Sequence, residues 1–333
     1  MKTSRKLANA LLASLALLLM TSAALAADPG LKYPWDSEIS DQKAGSILIF
    51  NFYTSGATSG NAQNTSISIT NTSTTSAAFV HLFFVSDGCA VADRFTCFTA
   101  TQTTTFLASD LDPGVSGYIV AIAVDGVIGC PTEHNFLIGD EYVKLASGHH
   151  GGLGAEAISA LYNGNLPGCD ANSVTAVLPF NGVIGAGYNC LPRVLALSSI
   201  ASRADGNDTL LIVNRIGGNL AIGASTLGTL FGRLYDDAEN GVSFSITGSC
   251  QLRASLSNTF PRTTPRFEDH IPAGHSGWLD IFSFSDIGIL GAAINFNPNL
   301  GAAKGAFSGA RNLHKLTLSC ASAYTMPLFA PSC

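Results

Sequence analysis

The sequence has 333 residues, of which 12% are charged, 47% are hydrophobic and 34 are glycine. Soluble domains usually carry about a quarter charged residues, so this chain is poor in charge. The aliphatic content excludes a disordered chain, and the excess of 23 acidic over 17 basic residues argues against a nucleic-acid partner. The length is sufficient for two domains that each bury a core.

The first 26 residues predict a secretory signal peptide. Three basic residues precede an uncharged apolar run at 7–20, and Ala24-Leu25-Ala26 follows as a small-x-small cleavage site. The apolar run is too short for a membrane span of about 20 residues. We therefore expect a protein secreted to the periplasm or the extracellular space after cleavage near Ala26, with no transmembrane segment in the mature chain.

All eight cysteines follow the predicted signal peptide. An even number of cysteines in an oxidising compartment predicts disulfides, and the absence of a CxxC pair argues against zinc, iron–sulfur and haem sites. Local spacing predicts a Cys89–Cys97 bond and a Cys169–Cys190 bond. The pairing of the other four stays open: Cys130, Cys250, Cys320 and Cys333.

After an N-terminal arm at 27–45, short apolar runs alternate with clusters of Gly, Ser, Thr, Asn and Pro, which predicts an all-β fold. In the first predicted domain, 46–150, the strands are 47–53, 65–71, 78–86, 103–107 and 117–124. A connector at 151–172 follows, in which GAEAISALY at 154–162 favours a short helix because it is rich in helix formers. In the second predicted domain, 173–333, the strands are 174–180, 194–201, 209–214, 227–236, 242–256, 278–284, 289–296 and 313–319.

The strand at 117–124 contains YIVAIAV, which has no polar face. Such a strand must be buried on both sides, either centrally in its domain or against a partner.

The two halves share an order of landmarks. PGVSGYIVAIAVDGVIG at 113–129 corresponds to AGHSGWLDIFSFSDIGILG at 273–291, since each reads Gly-x-Ser-Gly-aromatic, an apolar strand, Asp and a Gly-bounded aliphatic pair. Earlier matches follow in the same order: 64–71 with 208–214, 83–87 with 233–237, and Cys97 with Cys250. This order predicts a weak internal duplication that produced two related β domains.

The entries into these strands, Gly-x-Ser-Gly-Tyr118 and Gly-x-Ser-Gly-Trp278, resemble the penultimate strand of immunoglobulin-like sandwiches, in which an aromatic side chain locks the preceding corner. The resemblance covers these two stretches, and the antibody spacing of Cys, Trp and Cys is absent, so it implies architecture alone. The implied fold is two tandem, weakly duplicated immunoglobulin-like β-sandwich domains with one short helix between them.

Two polar clusters are candidate metal sites. His149, His150 and Glu156 surround GHHGGLGAE and carry ligands that suit zinc or copper, although neighbouring strand residues point to opposite faces. The other reading is a Gly-rich loop that leads into a helix. Asp236, Asp237 and Glu239 gather oxygen ligands for calcium, whereas the same residues are also those preferred in turns.

Aromatic side chains could provide a platform on which sugars stack. The candidates are Trp35, Tyr53, Tyr118, Tyr188, Trp278 and Tyr324. Because Tyr118 and Trp278 occupy equivalent positions in the two halves, core or corner packing is the competing interpretation.

Low charge, apolar strands and the predicted disulfides favour a rigid extracellular protein over a catalyst. The first hypothesis is a secreted, non-catalytic structural, adhesive or surface-assembly protein, whose expected partners are its own copies, a cell surface or a glycan. The alternatives are an exported metal-dependent or glycan-acting enzyme that uses His149 and His150, and a carbohydrate-binding protein. No phosphate loop or dinucleotide fingerprint occurs, so no cofactor is expected besides a structural calcium ion.

Overall fold

The structure is a computed structural model that describes residues 31–32, 39–56, 63–256, 267–297 and 308–333. The predicted signal peptide and its cleavage site lie outside the described residues. Within them the chain is built from β-strands, with short helical turns at α1 (Ala108–Leu111), a 3-10 turn (Arg203–Asp205) and α2 (Phe267–His270).

The strands of the first half are, in chain order, β1 (Leu31–Lys32), β2 (Ile47–Thr54), β3 (Asn64–Asn71), β4 (Ala78–Ser86), β5 (Val91–Phe98), β6 (Thr103–Leu107), β7 (Ser116–Val124), β8 (Leu137–Lys144), β9 (His150–Gly154) and β10 (Glu156–Ile158). They form two antiparallel sheets, ordered β10-β2-β7-β4-β5 and β6-β3-β8-β9, while β1 joins a sheet of the second half. We call β2 to β9 the first unit.

The strands of the second half are β11 (Thr175–Pro179), β12 (Leu191–Ala201), β13 (Asp208–Ile216), β14 (Gly218–Asn219), β15 (Gly223–Ala224), β16 (Gly228–Asp236), β17 (Gly241–Gly248), β18 (Gln251–Ser255), β19 (Ser276–Ser283), β20 (Gly288–Phe296), β21 (Gly309–Asn312), β22 (His314–Ser319) and β23 (Ala323–Pro327). Their sheets are β1-β22-β12-β19-β16-β17, β18-β13-β20-β21 and β11-β23-β14-β15. We call β12, β13 and β16 to β21 the second unit, and β11-β23-β14-β15 the cover sheet.

The two units have the same strand order. Sheet β2-β7-β4-β5 corresponds to β12-β19-β16-β17, and β6-β3-β8-β9 corresponds to β18-β13-β20-β21. In the first unit, β3 pairs with β6 and β4 pairs with β7, which are the second-with-fifth and third-with-sixth pairings of immunoglobulin sandwiches. Two pairings differ from that order: β2, the first strand of the unit, pairs with β7, and β8, the seventh, pairs with β3. The second unit repeats all four pairings. The structure therefore has sandwich-like antiparallel sheets and departs from the immunoglobulin order at these two strands.

The shared Gly-x-Ser-Gly motif has the same backbone role in both units. Gly114 and Gly274 have φ of 81° and 78°, in the left-handed region that glycine adopts without strain. At Gly117 and Gly277 a Cβ atom would lie 1.9 Å and 2.5 Å from a carbonyl oxygen of the facing strand. The first glycine therefore makes the turn and the second allows the strands to approach.

The aromatic residue after this motif does not lock the preceding corner, so that expectation is wrong. The Tyr118 hydroxyl donates to the Arg215 carbonyl at 2.9 Å and lies 3.4 Å from the Tyr324 hydroxyl. Trp278 stacks instead on Tyr235 of the neighbouring strand.

The prediction that β7 is buried on both faces is confirmed. Tyr118, Val120 and Ile122 are fully buried in one cluster with Leu178 and Tyr324 of the cover sheet. The alternate side chains lie in the core between the two sheets of the first unit: Ile119, Ala121 and Ala123. The cover is therefore supplied by the same chain.

The helix predicted at 154–162 is wrong. Residues Glu156–Ile158 form β10, which pairs with Ile47 to Ile49 of β2, and all three are fully buried. Pairing with a hydrophobic edge strand overrides the helical propensity of this short segment. The predicted domain boundaries stay predictions.

Both predicted disulfides are wrong. The observed bonds are Cys89–Cys250, Cys97–Cys333, Cys130–Cys169 and Cys190–Cys320. Cys89 lies in the turn before β5 and Cys97 near the end of that strand, and eight extended residues span about 26 Å, well beyond disulfide reach. Four disulfides indicate an oxidising environment outside the cytoplasm.

Candidate functional site

The predicted metal ligands His149 and His150 have separate surroundings. His149 is buried, with Nδ1 3.0 Å from the Ser147 hydroxyl and its ring 5.3 Å from that of Phe296. His150 is exposed, and its ring lies 5.5 Å from that of Tyr142. In the part of the chain that the structure describes, no three His, Cys, Asp or Glu side chains are grouped to hold a metal ion.

Glu156, the third predicted ligand, belongs to a buried ion pair. Its Oε2 lies 2.8 Å from Nζ of Lys315, with side-chain exposures of 0% and 14%. Burial raises the pKa of Glu156, and the Lys315 ammonium lowers it. The pair joins β10 to β22 and therefore fixes one sheet against the other.

The loop with the predicted calcium ligands is organised as a turn. The Asp236 carboxylate accepts two backbone N–H groups at 3.0 and 2.8 Å and Nδ2 of Asn240 at 2.7 Å. These bonds, with that of the Asn240 side chain the strongest, hold the pKa of Asp236 below its usual value. Asp237 accepts from His275 Nδ1 at 2.9 Å, and Glu239 is exposed with φ of 67°. Asp236 therefore acts as a turn residue bonded by N–H donors, and Asp237 pairs with His275 instead of sharing a ligand set with Asp236.

Two shallow clefts meet at the glycine-rich strand β9. One, of about 340 Å³, lies over β3, β8 and β9, and the other, of about 440 Å³, lies between β9 and β21. In the second cleft Asp41 accepts from Asn312 Nδ2 at 3.0 Å, and Lys315 is paired with Glu156. Arg311, which also lines this cleft, donates from Nη2 to the Ser199 carbonyl at 3.2 Å, so the charged lining is engaged in structural contacts.

A chain of amide side chains, buried at Gln251, Asn214 and Asn51 and half-buried at Asn312, connects the interior to the second cleft. Gln251 Nε2 donates to Asn214 Oδ1 at 2.7 Å, and Asn214 Nδ2 donates to Asn51 Oδ1 at 3.1 Å. Asn51 Nδ2 donates to Asn312 Oδ1 at 2.9 Å, and Asn312 ends the chain at Asp41. Because a buried amide must keep its partners, this chain fixes how the two units face each other.

The most unusual surface is the outer face of the second unit's β17-β16-β19-β12 sheet. We call it the aromatic face and define it by Phe231, Arg233, Tyr235, Trp278, Asp280, Phe282 and Phe284. Tyr235 stands opposite Trp278, with ring centroids 4.9 Å apart and planes at 15°. Phe231 stands opposite Phe282 at 5.5 Å, and Phe284 packs against both rings. Trp278 and Phe284 are 42% and 71% exposed.

An ion pair separates the two aromatic groups. Arg233 Nε donates to Asp280 Oδ1 at 3.0 Å, and Nη2 of the same guanidinium pairs with Oδ2. The side chains are 16% and 1% exposed, and the guanidinium carbon lies 5.8 Å from the Phe282 ring centroid. The pair is bidentate, so the guanidinium and the carboxylate are held in a fixed orientation.

The exposed side of Trp278 borders a small polar slot. Because β19 lies between β16 and β12 and Tyr235 of β16 covers one face of the indole, the other face is turned toward β12. On β12, Ala196 stands opposite Asp280 on one side and His314 on the other, two residues along the ladder from Trp278, and the Ser198 hydroxyl lies 3.3 Å from His314 Nε2. Ser198 and His314 are exposed. The slot thus has an aromatic wall at Trp278, a floor at the β12 bulge between Leu197 and Ile200, and a polar edge at Ser198 and His314.

The aromatic residues that the sequence suggested as a sugar platform differ in their exposure to solvent. Tyr53, Tyr118, Tyr188 and Tyr324 are fully buried, whereas Trp278 is exposed, and Trp35 lies outside the described residues. The other members of the aromatic face were missed. The sequence pattern that could have indicated Phe231, Arg233 and Tyr235 is the alternation in TLFGRLYD at 229–236, where every second residue faces outward.

No protein-family model matches the chain, and no curated protein matches it. A solved structure to which it is similar is a beta-glucuronidase from glycoside hydrolase family 2, at 10% identity and a TM-score of 0.14. The match covers 85% of this chain and 25% of that protein, and a TM-score of 0.14 does not indicate a shared fold. Among the described residues, no helix is long and apolar enough to cross a membrane.

Proposed function

We propose that the protein is a secreted, non-catalytic adhesive protein that attaches to a cell surface through the aromatic face. The observation that carries the proposal is the exposure of Trp278 and Phe284, at 42% and 71%, on the outer face of a sheet. Clustered aromatic rings at a protein surface mark interaction sites, because burying them on binding releases much free energy.

The first unit supports this interpretation. On its corresponding sheet the outer face is occupied by apolar side chains, including Tyr118 and Val120, that are fully buried beneath the cover sheet. In the first unit, this outer face therefore binds another part of the same chain, the cover sheet. In the second unit, the exposed rings of this face, Trp278 and Phe284, are available to an external partner.

We further propose that the two units arose by internal duplication. The shared order of sequence landmarks and the shared strand order both support this origin. On this view one copy retained a face that binds its own chain, and the other acquired a face that binds a partner. Secretion agrees with the four disulfides.

The test is binding of fluorescently labelled mature protein to a panel of intact bacterial and eukaryotic cells. The variant combines Trp278→Ala with Phe284→Ala, and the matched control is Phe136→Ala, an aromatic residue of the first unit that is 45% exposed. We expect saturable binding by the wild type and the control, and at least a tenfold loss with the double variant. Absence of wild-type binding to every cell type, or equal binding by the double variant, would overturn the proposal.

A further inference from the structure

We propose that the aromatic face binds a neutral carbohydrate chain, with one sugar ring stacked on the exposed face of Trp278 and its hydroxyls bonded to Ser198 and His314. This inference rests on the proposed function, since it names the ligand class of the same face.

The dimensions of the slot fit a single ring. Trp278 on β19 and His314 on β22 are separated by β12, so their strands lie about 10 Å apart. The β12 residues level with Trp278 are Ser198 and Ser199, in the bulge between Leu197 and Ile200, and both have small side chains. A ring laid against the indole would therefore reach the polar edge without displacing a protein side chain.

The chemistry of the slot matches the two sides of a sugar. A pyranose ring has a face of C–H bonds, which packs on an aromatic surface, and a rim of hydroxyl groups. The Ser198 hydroxyl and the His314 imidazole each both donate and accept hydrogen bonds, as a sugar hydroxyl does. They lie 3.3 Å from each other, so one ligand hydroxyl can contact both.

The charge distribution favours a neutral ligand. Arg233 and Asp280 form a bidentate pair with each other, with exposures of 16% and 1%, and therefore present little net charge. On the neighbouring strand β17, the outward residues are uncharged and exposed: Ser243, Ser245 and Thr247. A polyanion would meet no concentrated positive charge here, whereas a neutral glycan would meet hydroxyls and aromatic rings.

The spacing of the aromatic groups favours a chain of rings over a protein partner. Trp278 and Phe284 are the exposed rings at the two ends of the face; Phe282, which is 4% exposed, packs against Phe284, and the ion pair lies between the two ends. A protein interface has a continuous apolar centre. Two aromatic positions with a polar gap suit a polymer whose apolar faces recur at intervals.

The experiment uses tryptophan fluorescence of the mature protein, because the chain has two tryptophans. In a Trp35→Phe background, Trp278 is the only reporter. The probes are soluble neutral polysaccharides, namely β-glucan, xylan, mannan and galactan, followed by oligosaccharides of whichever polymer responds. We expect a saturable change in emission with at least one polymer. Ser198→Ala with His314→Ala should weaken its affinity at least fivefold, and Phe136→Ala should leave the affinity unchanged.

A parallel pull-down on the immobilised polymer tests Trp278→Ala, which should lose at least tenfold in retention. Equal retention of Trp278→Ala would overturn the inference. The cell-binding assay separates the two proposals, because periodate oxidation of the cells destroys sugar rings with vicinal diols. If binding to cells depends on Trp278 but survives periodate and no polymer responds, the carbohydrate inference fails while the adhesive function stands. Loss of binding after periodate supports both.

Discussion

The corresponding outer faces of the two units differ in what covers them. In the first unit, Tyr118, Val120 and Ile122 of β7 are fully buried beneath the cover sheet. At the same places on β19, the second unit has Trp278, Asp280 and Phe282: the indole is 42% exposed, whereas Asp280 and Phe282 are 1% and 4% exposed. Equal strand order therefore does not give equal environments, because what packs above a sheet decides whether its outer side chains form a core or a surface.

Each of these faces also contains an ion pair with a buried carboxylate. Glu156 and Lys315 are 0% and 14% exposed, and Asp280 and Arg233 are 1% and 16% exposed. The first pair joins strands of different sheets, whereas the second lies between adjacent strands of one sheet. On the covered face, the Glu156–Lys315 pair thus holds two sheets together. On the aromatic face, the Arg233–Asp280 pair lies between two groups of aromatic rings.

The largest expected effect is at the covered face. Tyr118→Ala should lower the free energy of unfolding by about 3–5 kcal/mol, because it leaves a cavity under the cover sheet. Tyr118→Phe, which keeps the ring and removes the hydroxyl bond to the Arg215 carbonyl, should lower it by about 1 kcal/mol. Urea unfolding measures both variants. A change of less than 1 kcal/mol for Tyr118→Ala would contradict tight packing of this face.

The disulfide between Cys89 and Cys250 fixes the first unit to the second. Cys89→Ala with Cys250→Ala should lower the free energy of unfolding by about 2–5 kcal/mol, because a long loop is no longer closed in the unfolded chain. Urea unfolding without reductant gives the value. Mass spectrometry of the non-reduced digest checks the pairing, and a peptide that joins Cys89 to Cys97 would show the connectivity to be wrong.

The pH dependence of stability should report the covered ion pair. The pKa of Glu156 is raised, chiefly by burial, so the folded chain holds this proton to higher pH than the unfolded chain does. The free energy of unfolding should therefore fall as pH rises through the folded pKa, by at most about 1.4 kcal/mol per pH unit for one group.

Lys315→Met removes the cation that lowers the pKa of Glu156, so the decrease in the free energy of unfolding with rising pH should become larger and extend to higher pH. Adding Glu156→Gln to that variant should abolish this pH-dependent decrease, because the titrating carboxyl is gone. Urea unfolding at a series of values from about pH 4 to pH 8 would measure these slopes. Identical slopes in the wild type and both variants would rule out a titrating Glu156.

The smallest expected effect is at the aromatic face. Trp278→Ala should lower the free energy of unfolding by about 1 kcal/mol, because it loses the stack on Tyr235 from a side chain that is 42% exposed. The thermal midpoint of the variant against the wild type measures it. A loss as large as that of Tyr118→Ala would mean that Trp278 is part of a core, and the contrast between the two faces would disappear.

Much of the strand content was predictable, because it depends on local pattern. The predicted strands at 78–86 and 103–107 coincide with β4 and β6. Strands β5 and β8 were missed, since VADRFTCF and LIGDEYVK contain charged residues that face solvent at sheet positions. The helix predicted at 154–162 failed because three residues of β10 gain more from pairing with β2 than from local propensity.

The sequence by itself determined the all-β class, most strand positions, the even set of cysteines and the requirement that YIVAIAV be buried on both faces. These properties follow from alternation, turn residues and apolar content within short stretches of chain. Only the tertiary structure decided the disulfide partners, the cover sheet above Tyr118 and the exposure of Trp278. Both units carry less charge than an ordinary soluble domain, so the scarcity of charge cannot tell a covered face from an open one. That difference depends on contacts between residues far apart in the chain, which no local pattern contains.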